Sequence, residues 1–473
     1  MWPSVLKVLG GALLTFAVIW ALVLGWWQSN DYEPSRLELG LYLAALPLAL
    51  VGGYLLLRGF IDHLKAPPVA PADSSTGRRD DDPLAMASAK VSAAEREFDI
   101  GFIDGCIIVS AGESADELIV AVEGGARPEP CARVTDEAGF PVFMAEVPEL
   151  DVDTMSACMS DDSLGIRKLT EHEQVVRALA ILERLCEALR ASVQGISEYA
   201  DEELLLRVVW MVPAAWSEFD MEALKAWLLA HLSPMKGIDR LEIQVQAAGS
   251  ELDALKVLDD LILAANREPG GGTLRVLLGA TSATDEQSIA QRSNANRLFT
   301  PANQQHRIPG EGGVAMLLAH TSLIKRLRLE NCVRLSRLSA ASRDKPVDAG
   351  GRVTGKLIDQ LITGLLDVTG VERAEIKTAL LDTDHRASHF TEVLEGLGEP
   401  FGHLDPIKDC LPIGATAGDI SPVGPLVALV CARAKVLATQ SPAICISNQH
   451  STDRGVVLVS PFPAHAEITP CSI

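Results

Sequence analysis

Basic side chains are scarce in this 473-residue chain: 41 lysines and arginines stand against 63 aspartates and glutamates, a formal net charge of −22. Without a basic field of the required size, nucleic acid is excluded as the main partner. Aromatics are also few, 5% of the residues, and Trp2, Trp20, Trp26 and Trp27 crowd into the first 27 positions. No CxxC pair exists among Cys106, Cys131, Cys158, Cys186, Cys332, Cys410, Cys431, Cys445 and Cys471. A zinc ribbon and a disulfide framework are therefore set aside, and reduced, buried thiols are expected. Gly270-Gly271-Gly272 precedes a strand-like run and opens no helix, so it is a loop and not a phosphate cradle. Apolar residues, at 48%, are plentiful enough to offset the entropy of ordering and exclude a disordered chain.

Part of that apolar content lies in two long runs. Val8 to Trp27 is twenty residues without a charge, and Leu39 to Leu57 is nineteen. At ~1.5 Å per helical residue the first spans about 30 Å, the thickness of a bilayer core. Pro47, Gly52 and Gly53 interrupt the second, which membrane helices tolerate. A cleavable leader fits poorly: only Lys7 precedes the run, and Trp26-Trp27 stands where a small-residue cleavage site belongs. Two membrane helices over residues 1–65 are expected. Lys7 before the first run, and Arg58, Lys65, Arg78 and Arg79 after the second, place both termini in the cytoplasm. The expected location is an inner, cytoplasmic membrane, with the body facing the cytoplasm.

Residues 66–96 carry Pro67, Pro68, Pro71, Arg78-Arg79 and Asp80-Asp81-Asp82-Pro83 with no apolar periodicity, and read as a flexible tether. The acidic body beyond it would be repelled by anionic lipid. From residue 97 strand-like and helix-like stretches alternate. Ile100 to Val109 is followed by Ser114-Ala-Asp-Glu117, a capping box, and Thr170-Glu-His-Glu173 repeats that pattern. Val208–Val212, Leu241–Val245 and Leu274–Leu278 read as strands; Met221–Leu232 and Leu252–Ala265 read as helices. The alternation predicts an α/β fold with a largely parallel, buried sheet. Gly313-Val-Ala-Met-Leu-Leu318 and Gly455-Val-Val-Leu-Val459 close two similar runs, with a polar junction at Arg337–Arg352, which suggests a duplicated fold split into 97–345 and 346–473.

Three stretches, in order, resemble the β-ketoacyl synthase branch of the thiolase-like superfamily. They are Ile103 to Leu118, Leu298 to Gly313 with its Pro-Gly-Glu-Gly-Gly, and Ile413-Gly-Ala-Thr-Ala-Gly-Asp-Ile-Ser-Pro-Val-Gly424. The resemblance covers about 97–465. It implies two stacked βαβαβαββ halves in a five-layer αβαβα arrangement, usually dimerised. Condensation needs a thiolate at a helix start and two histidines. The nucleophile's turn matches Gln246-Ala247-Ala248-Gly249-Ser250-Glu251, so Ala248 stands where cysteine belongs. The glycine-rich turn that should read Gly-His reads Gly418-Asp419, and its carboxylate opposes the negative charge this chemistry develops. The first histidine's loop falls within Leu381–Glu392, which contains His385 and His389 but no His-Gly-Thr.

Other constellations are weaker. Asp382, Asp384, His385, His389 and Glu392 are dense enough for a metal set, yet a solvated loop and helix start explains them more simply, and no metal or cofactor is expected. Ser250 lacks the Gly-x-Ser-x-Gly elbow of a hydrolase and reads as an N-cap. Cys410 reads as a structural thiol, Glu311 as a turn-holder, and His306-Arg307 and Lys325-Arg326-Leu-Arg328 as solvated basic spots. Ser250, Glu311, His385, His389 and Asp419 remain candidates to line a ligand pocket.

The leading expectation is a membrane-anchored, ketosynthase-like pseudoenzyme of bacterial type that acts as a binding, scaffold or adaptor module and forms a homodimer. Its partner would be a protein, conceivably a secretion-system toxin, or an acyl chain carried by an acyl-carrier protein. The rival is an active acyltransferase or hydrolase on acyl thioesters, using Ser250, His385 or Asp419 in a rearranged site.

Overall fold

The computed structural model describes residues 93–462, except 137–138, 161–165, 199, 201–203, 234, 236, 269–270 and 350–351, together with Trp20, Ala21, Val23, Trp26 and Ser29. Apart from those five positions, the two expected membrane runs lie outside the described residues. Among the described residues no helix is long and apolar enough to cross a membrane. The chain divides into two units between Pro83 and Leu84, inside the stretch read as a tether.

The second unit begins with β1 (Asp99–Val109), α1 (Ala115–Glu123), the hairpin β2 (Glu129–Thr135) and β3 (Pro141–Met144), and helices α2 (Val152–Ser160) and α3 (Glu173–Ser197). Then come β4 (Leu204–Pro213), α4 (Met221–Leu232), β5 (Ile238–Ala248), α5 (Glu251–Arg267), β6 (Thr273–Ser282), α6 (Glu286–Asn294), β7 (Glu311–Ala319) and α7 (Thr321–Leu327). The remainder is β8 (Val333–Ser336), β9 (Ser339–Ser342), α8 (Lys356–Thr369), β10 (Thr378–Leu381), α9 (Ala387–Leu397), β11 (Cys410–Pro412), α10 (Gly414–Ala417), α11 (Gly424–Thr439), β12 (Ala443–Ser447) and β13 (Asp453–Pro461).

The strand order carries the duplication. One half runs β5-β4-β6-β7-β1 and the other β11-β10-β12-β13-β8, so the same order of first, second, third, fourth and fifth strands occurs twice. The two first strands, β1 and β8, pair antiparallel and join the halves, Asp99 opposite Ser336. The repeat therefore restarts at Val333, upstream of residue 345; the polar stretch Arg337–Arg352 lies inside the second half. The sheet is mixed and not largely parallel. In each half four strands run the same way, and one, β7 or β13, runs against them and pairs antiparallel with both neighbours. A continuous apolar run such as Gly313–Leu318 marks a strand buried on both faces but is silent about its direction.

Alternation of side chains across each strand builds the layers. In β4, Leu206, Val208 and Trp210 join α3 and α4 in an outer cluster, while Val209 and Met211 join α5 and α11 in a central one. In β13, Val456 and Leu458 pack on α8 and α9, while Val457 and Val459 face the same central helices. Five layers result, helix, sheet, helix, sheet, helix. The middle layer is apolar: α11 buries Leu426 to Ala432 without a break, each large apolar side chain contributing roughly 1.5–3 kcal/mol.

The caps divide by their surroundings. Ser114 Oγ accepts from the Glu117 amide at 3.2 Å, and Glu117 accepts from the Glu113 amide at 2.8 Å, a working capping box. The second expected box does not form. Thr170 lies in a 3-10 turn and donates its hydroxyl to the Arg167 carbonyl, so α3 starts at Glu173 after His172. Tertiary packing of Val175, Val176 and Leu179 sets that start instead.

Candidate functional site

β5 delivers its last residue, Ala248, to the floor of the site with 2% exposure. Its methyl has no nucleophilic atom. Ser250 follows as the N-cap of α5: its hydroxyl accepts from the Asp253 amide at 3.2 Å, while Asp253 accepts from the Gly249 amide at 3.2 Å. Among the described residues no base is bonded to that hydroxyl. The first residue of α5, Glu251, is 1% exposed, with its carboxylate at the positive end of the helix.

The carboxylate is met by Arg307. One guanidinium nitrogen lies 2.7 Å from Glu251 and 3.1 Å from Asp419, and the other donates to the Gln449 carbonyl at 2.8 Å. Asp419 also pairs with Arg292 at 3.0 Å. Burial alone would raise the Asp419 carboxyl; the charges of Arg307 and then Arg292 outweigh it and hold the group well below the usual carboxylate range. Burial likewise works against the Arg307 cation, but Asp419, Glu251 and Asp384 hold its proton on firmly.

The backbone fixes this network. The Asp419 amide donates to the Ile308 carbonyl at 2.8 Å, and Pro309 pairs with Asp419 in a short parallel bridge. Gly418 turns the chain at φ 71°, and Gly310 passes so close that a Cβ there would lie 2.6 Å from the Ala417 carbonyl oxygen. The Pro-Gly-Glu-Gly segment and the Gly-Asp turn are thus one unit, which brings Arg307 and Asp419 together.

Asp382 and Asp384 approach from the end of β10. Asp382 accepts from the Ser447 hydroxyl at 2.5 Å and from the Asn448 and Gln449 amides at 2.8 and 3.1 Å. Burial, and then the charge of Glu251, push it up from 3.8 to about 6 against those bonds. Asp384 pairs with Arg386 at 2.9 Å. The Gln449 side-chain nitrogen is buried with no partner among the described residues.

The remaining candidates separate. His389 is fully buried, bonded to the Asn448 carbonyl at 2.6 Å and to Asp348 at 3.1 Å. His385 reaches the Gln304 carbonyl at 3.0 Å and meets the Phe299 ring edge-on at 4.8 Å. Glu392 is taken by Arg454 at 2.8 Å and by Arg343. Asp382, His389 and Glu392 all bond Asn448, while Asp384 and His385 are held elsewhere, and no group of three or more metal-ligating side chains occurs among the described residues. Glu311 faces the first half, away from any shared pocket. It accepts from Arg177 at 2.7 and 2.8 Å, Ser282 and Thr284 at 2.8 Å, and the Val147 amide at 2.8 Å. Burial would raise its carboxyl, but Arg177 holds it below its ordinary value. Cys410 is 2% exposed and burial pushes its thiol up to about 12, the state of an inert core cysteine.

Arg307 is the residue that sequence reasoning misplaced, as a solvated basic spot. Glu251, buried in the first turn of α5, requires a cation, but that burial exists only in the folded chain.

The charges leave a measurable trace in Asp382. Its folded carboxyl keeps the proton up to pH about 6, whereas the unfolded one releases it near 3.8. Ionisation therefore favours the unfolded chain first, and stability from this group falls as pH rises from about 4 through 6, by about 3 kcal/mol in all. Asp382→Asn is expected to remove that loss. The stability difference between variant and native protein should grow in the variant's favour between pH 4 and 7 in denaturant titrations, and a difference independent of pH would contradict the assignment.

No family model matches the chain, and no curated protein sequence does. Solved structures do match in fold. A chain of the type II PKS acyl-carrier protein in complex with its ketosynthase bound to the hexaketide superposes with TM-score 0.51 at 11% identity, over 77% of this chain and 100% of that one. The ketosynthase from module 6 of the bacillaene synthase of Bacillus subtilis 168 gives 0.50 at 11%, over 77% and 73%. That from module 1 of the bacillaene synthase of Bacillus amyloliquefaciens FZB42 gives 0.50 at 11%, over 78% and 77%. The body of this chain has the thiolase-like ketosynthase fold.

Proposed function

We propose that this protein is a membrane-anchored ketosynthase-like pseudoenzyme that works by binding, as a scaffold or adaptor. The observation that carries the reading is the Glu251–Arg307–Asp419 network. In this reading paired charges replace a thiolate and its histidines, Ala248 offers nothing to acylate, and the Ser250 hydroxyl is spent on a helix cap. A neutralised site of this kind cannot form an acyl-enzyme, yet the fold around it keeps its surfaces.

An acyl-carrier protein, or the acyl chain it bears, is the partner class we favour, because a solved relative in fold is a ketosynthase held with its carrier. A secreted toxin is the other cargo such an adaptor could carry. The apolar runs at 8–27 and 39–57 would anchor the protein in a bacterial inner membrane with the body on the cytoplasmic side. Homodimerisation is supported by β5, which ends its sheet with a partly exposed row of residues and one unpaired edge.

The test is binding of the full-length protein to immobilised acyl-carrier protein, in its apo and acylated forms. Binding to the acylated form, undiminished in Ser250→Ala, is the expected result. Covalent labelling by a fluorophosphonate that Ser250→Ala abolishes would establish the hydrolase reading instead.

A further inference from the structure

Four arginines are buried among the described residues, and three of them are bonded to carboxylates: Arg177 to Glu311, Arg386 to Asp384 and Arg454 to Glu392. Arg275 is the exception. It is 2% exposed in β6 and has no hydrogen-bond or ion-pair partner among the described residues. An arginine this little exposed is ordinarily paired, and the nitrogens of Arg275 are not among the atoms sealed from solvent, so a ligand can reach them.

Its surroundings indicate which. Leu274, Val276 and Leu278 of β6 belong to the outer cluster and Leu277 to the central one, so Arg275 lies on the inner face. In register beside it stand Arg207 of β4 and Leu318 of β7. Adjacent strands are ~4.8 Å apart, which sets the two arginine stems side by side. His320 follows β7 directly, close enough that Arg275 disfavours its protonated form, after burial and against Asp99. Two carboxylates hold Arg207, Glu242 at 2.9 Å and Glu268 at 3.0 Å, and neither is bonded to Arg275. Seven residues of strand, about 23 Å, separate Arg275 from Ser282, which bonds Glu311 at the other end of β6.

We propose that Arg275 anchors a binding site for a phosphate group, with Arg207 beside it and His320 as a third donor. A guanidinium offers two parallel N–H donors to one oxyanion. Glu242 and Glu268 take one donor each from Arg207, which leaves its remaining guanidinium nitrogen, the whole of Arg275 and the imidazole for the oxygens of a phosphate. A small metabolite and a lipid headgroup both present such a group, and the chemistry at Arg275 is the same for either. The site is independent of the ketosynthase-like cleft and of the reading given above.

Thermal unfolding of the full-length protein tests it, with inorganic phosphate, acetate at equal ionic strength, and dihexanoyl phosphatidic acid below its micelle concentration. Phosphate should raise the midpoint by about 2 °C or more at saturation, and acetate should not. Arg275→Met should unfold at a higher temperature than the native protein without any anion, because an unpaired buried charge is gone, and should lose the phosphate response. Arg275→Lys, which keeps the charge but not the paired donors, should need several-fold more phosphate for the same shift. A larger, Arg275-dependent response to the phosphatidic acid than to phosphate assigns the site to a lipid headgroup; an equal response assigns it to a free phosphate group. No phosphate shift in the native protein, an equal shift with acetate, or a full shift retained in Arg275→Met or Arg275→Lys would overturn the proposal.

Discussion

Replacing Arg307 with alanine is expected to destabilise the body by about 3–5 kcal/mol, because two carboxylates are left in a buried site without their common cation. Glu251 is 1% and Asp419 8% exposed, so neither can turn to water when the guanidinium is removed. Arg292 still pairs with Asp419, and the α5 start still favours a negative charge at Glu251, which keeps the loss within that range. The deficit should shrink in acid. Asp419 is ionised in the native protein far below its ordinary pKa of 3.8, so its stabilisation is complete above that value and is lost as pH falls towards the folded one. The triple variant Glu251→Gln, Arg307→Met, Asp419→Asn should recover most of the stability, since removing both signs together leaves no orphaned charge. Urea titrations of the single and triple variants decide it. A triple variant as unstable as Arg307→Ala would show that the pairs are not what holds this region.

The second large effect is expected at Glu311. Its two oxygens take five donors from four places: Arg177 on α3, Ser282 at the end of β6, Thr284 after it, and the Val147 amide. Glu311→Ala strands the Arg177 cation, which is 5% exposed, and leaves two hydroxyls and an amide without an acceptor. A loss of about 3–5 kcal/mol follows, with Glu146 and Glu173 partly compensating Arg177. Glu311→Gln keeps the acceptor but not the charge and should lose less. Equal losses in the two variants would show that shape, and not the ion pair, is what matters there.

Both residues sit beside Pro309-Gly310, the most specific motif in the chain, yet the sequence marked them differently. Glu311 was marked as structural by its place inside Pro-Gly-Glu-Gly-Gly, although it opens β7 and holds Arg177 instead of a turn. Arg307 was not, because a lone arginine in an acidic protein is ordinarily solvated, and burial is a property of the folded chain. The duplication showed in the paired Gly-Val strands, now β7 and β13. Their antiparallel direction did not show, since apolar runs carry no sign of direction. Thr170 failed as a cap for a related reason: a capping motif is local, and the packing of α3 chose another start. Ala248 lies at the end of β5, where the sequence pattern places a strand end, whereas the cation that Asp419 shares with Glu251 left no mark in the sequence.

The central claim is that these charges have replaced condensing chemistry within a retained fold. It is tested most directly by incubating the full-length protein with an acyl thioester and a malonyl thioester, then measuring its intact mass and the β-ketoacyl product together. The account predicts an unchanged mass and no product above the uncatalysed background. A mass increase of one acyl group per chain, mapping to the β5–α5 turn and accompanied by turnover, would contradict it.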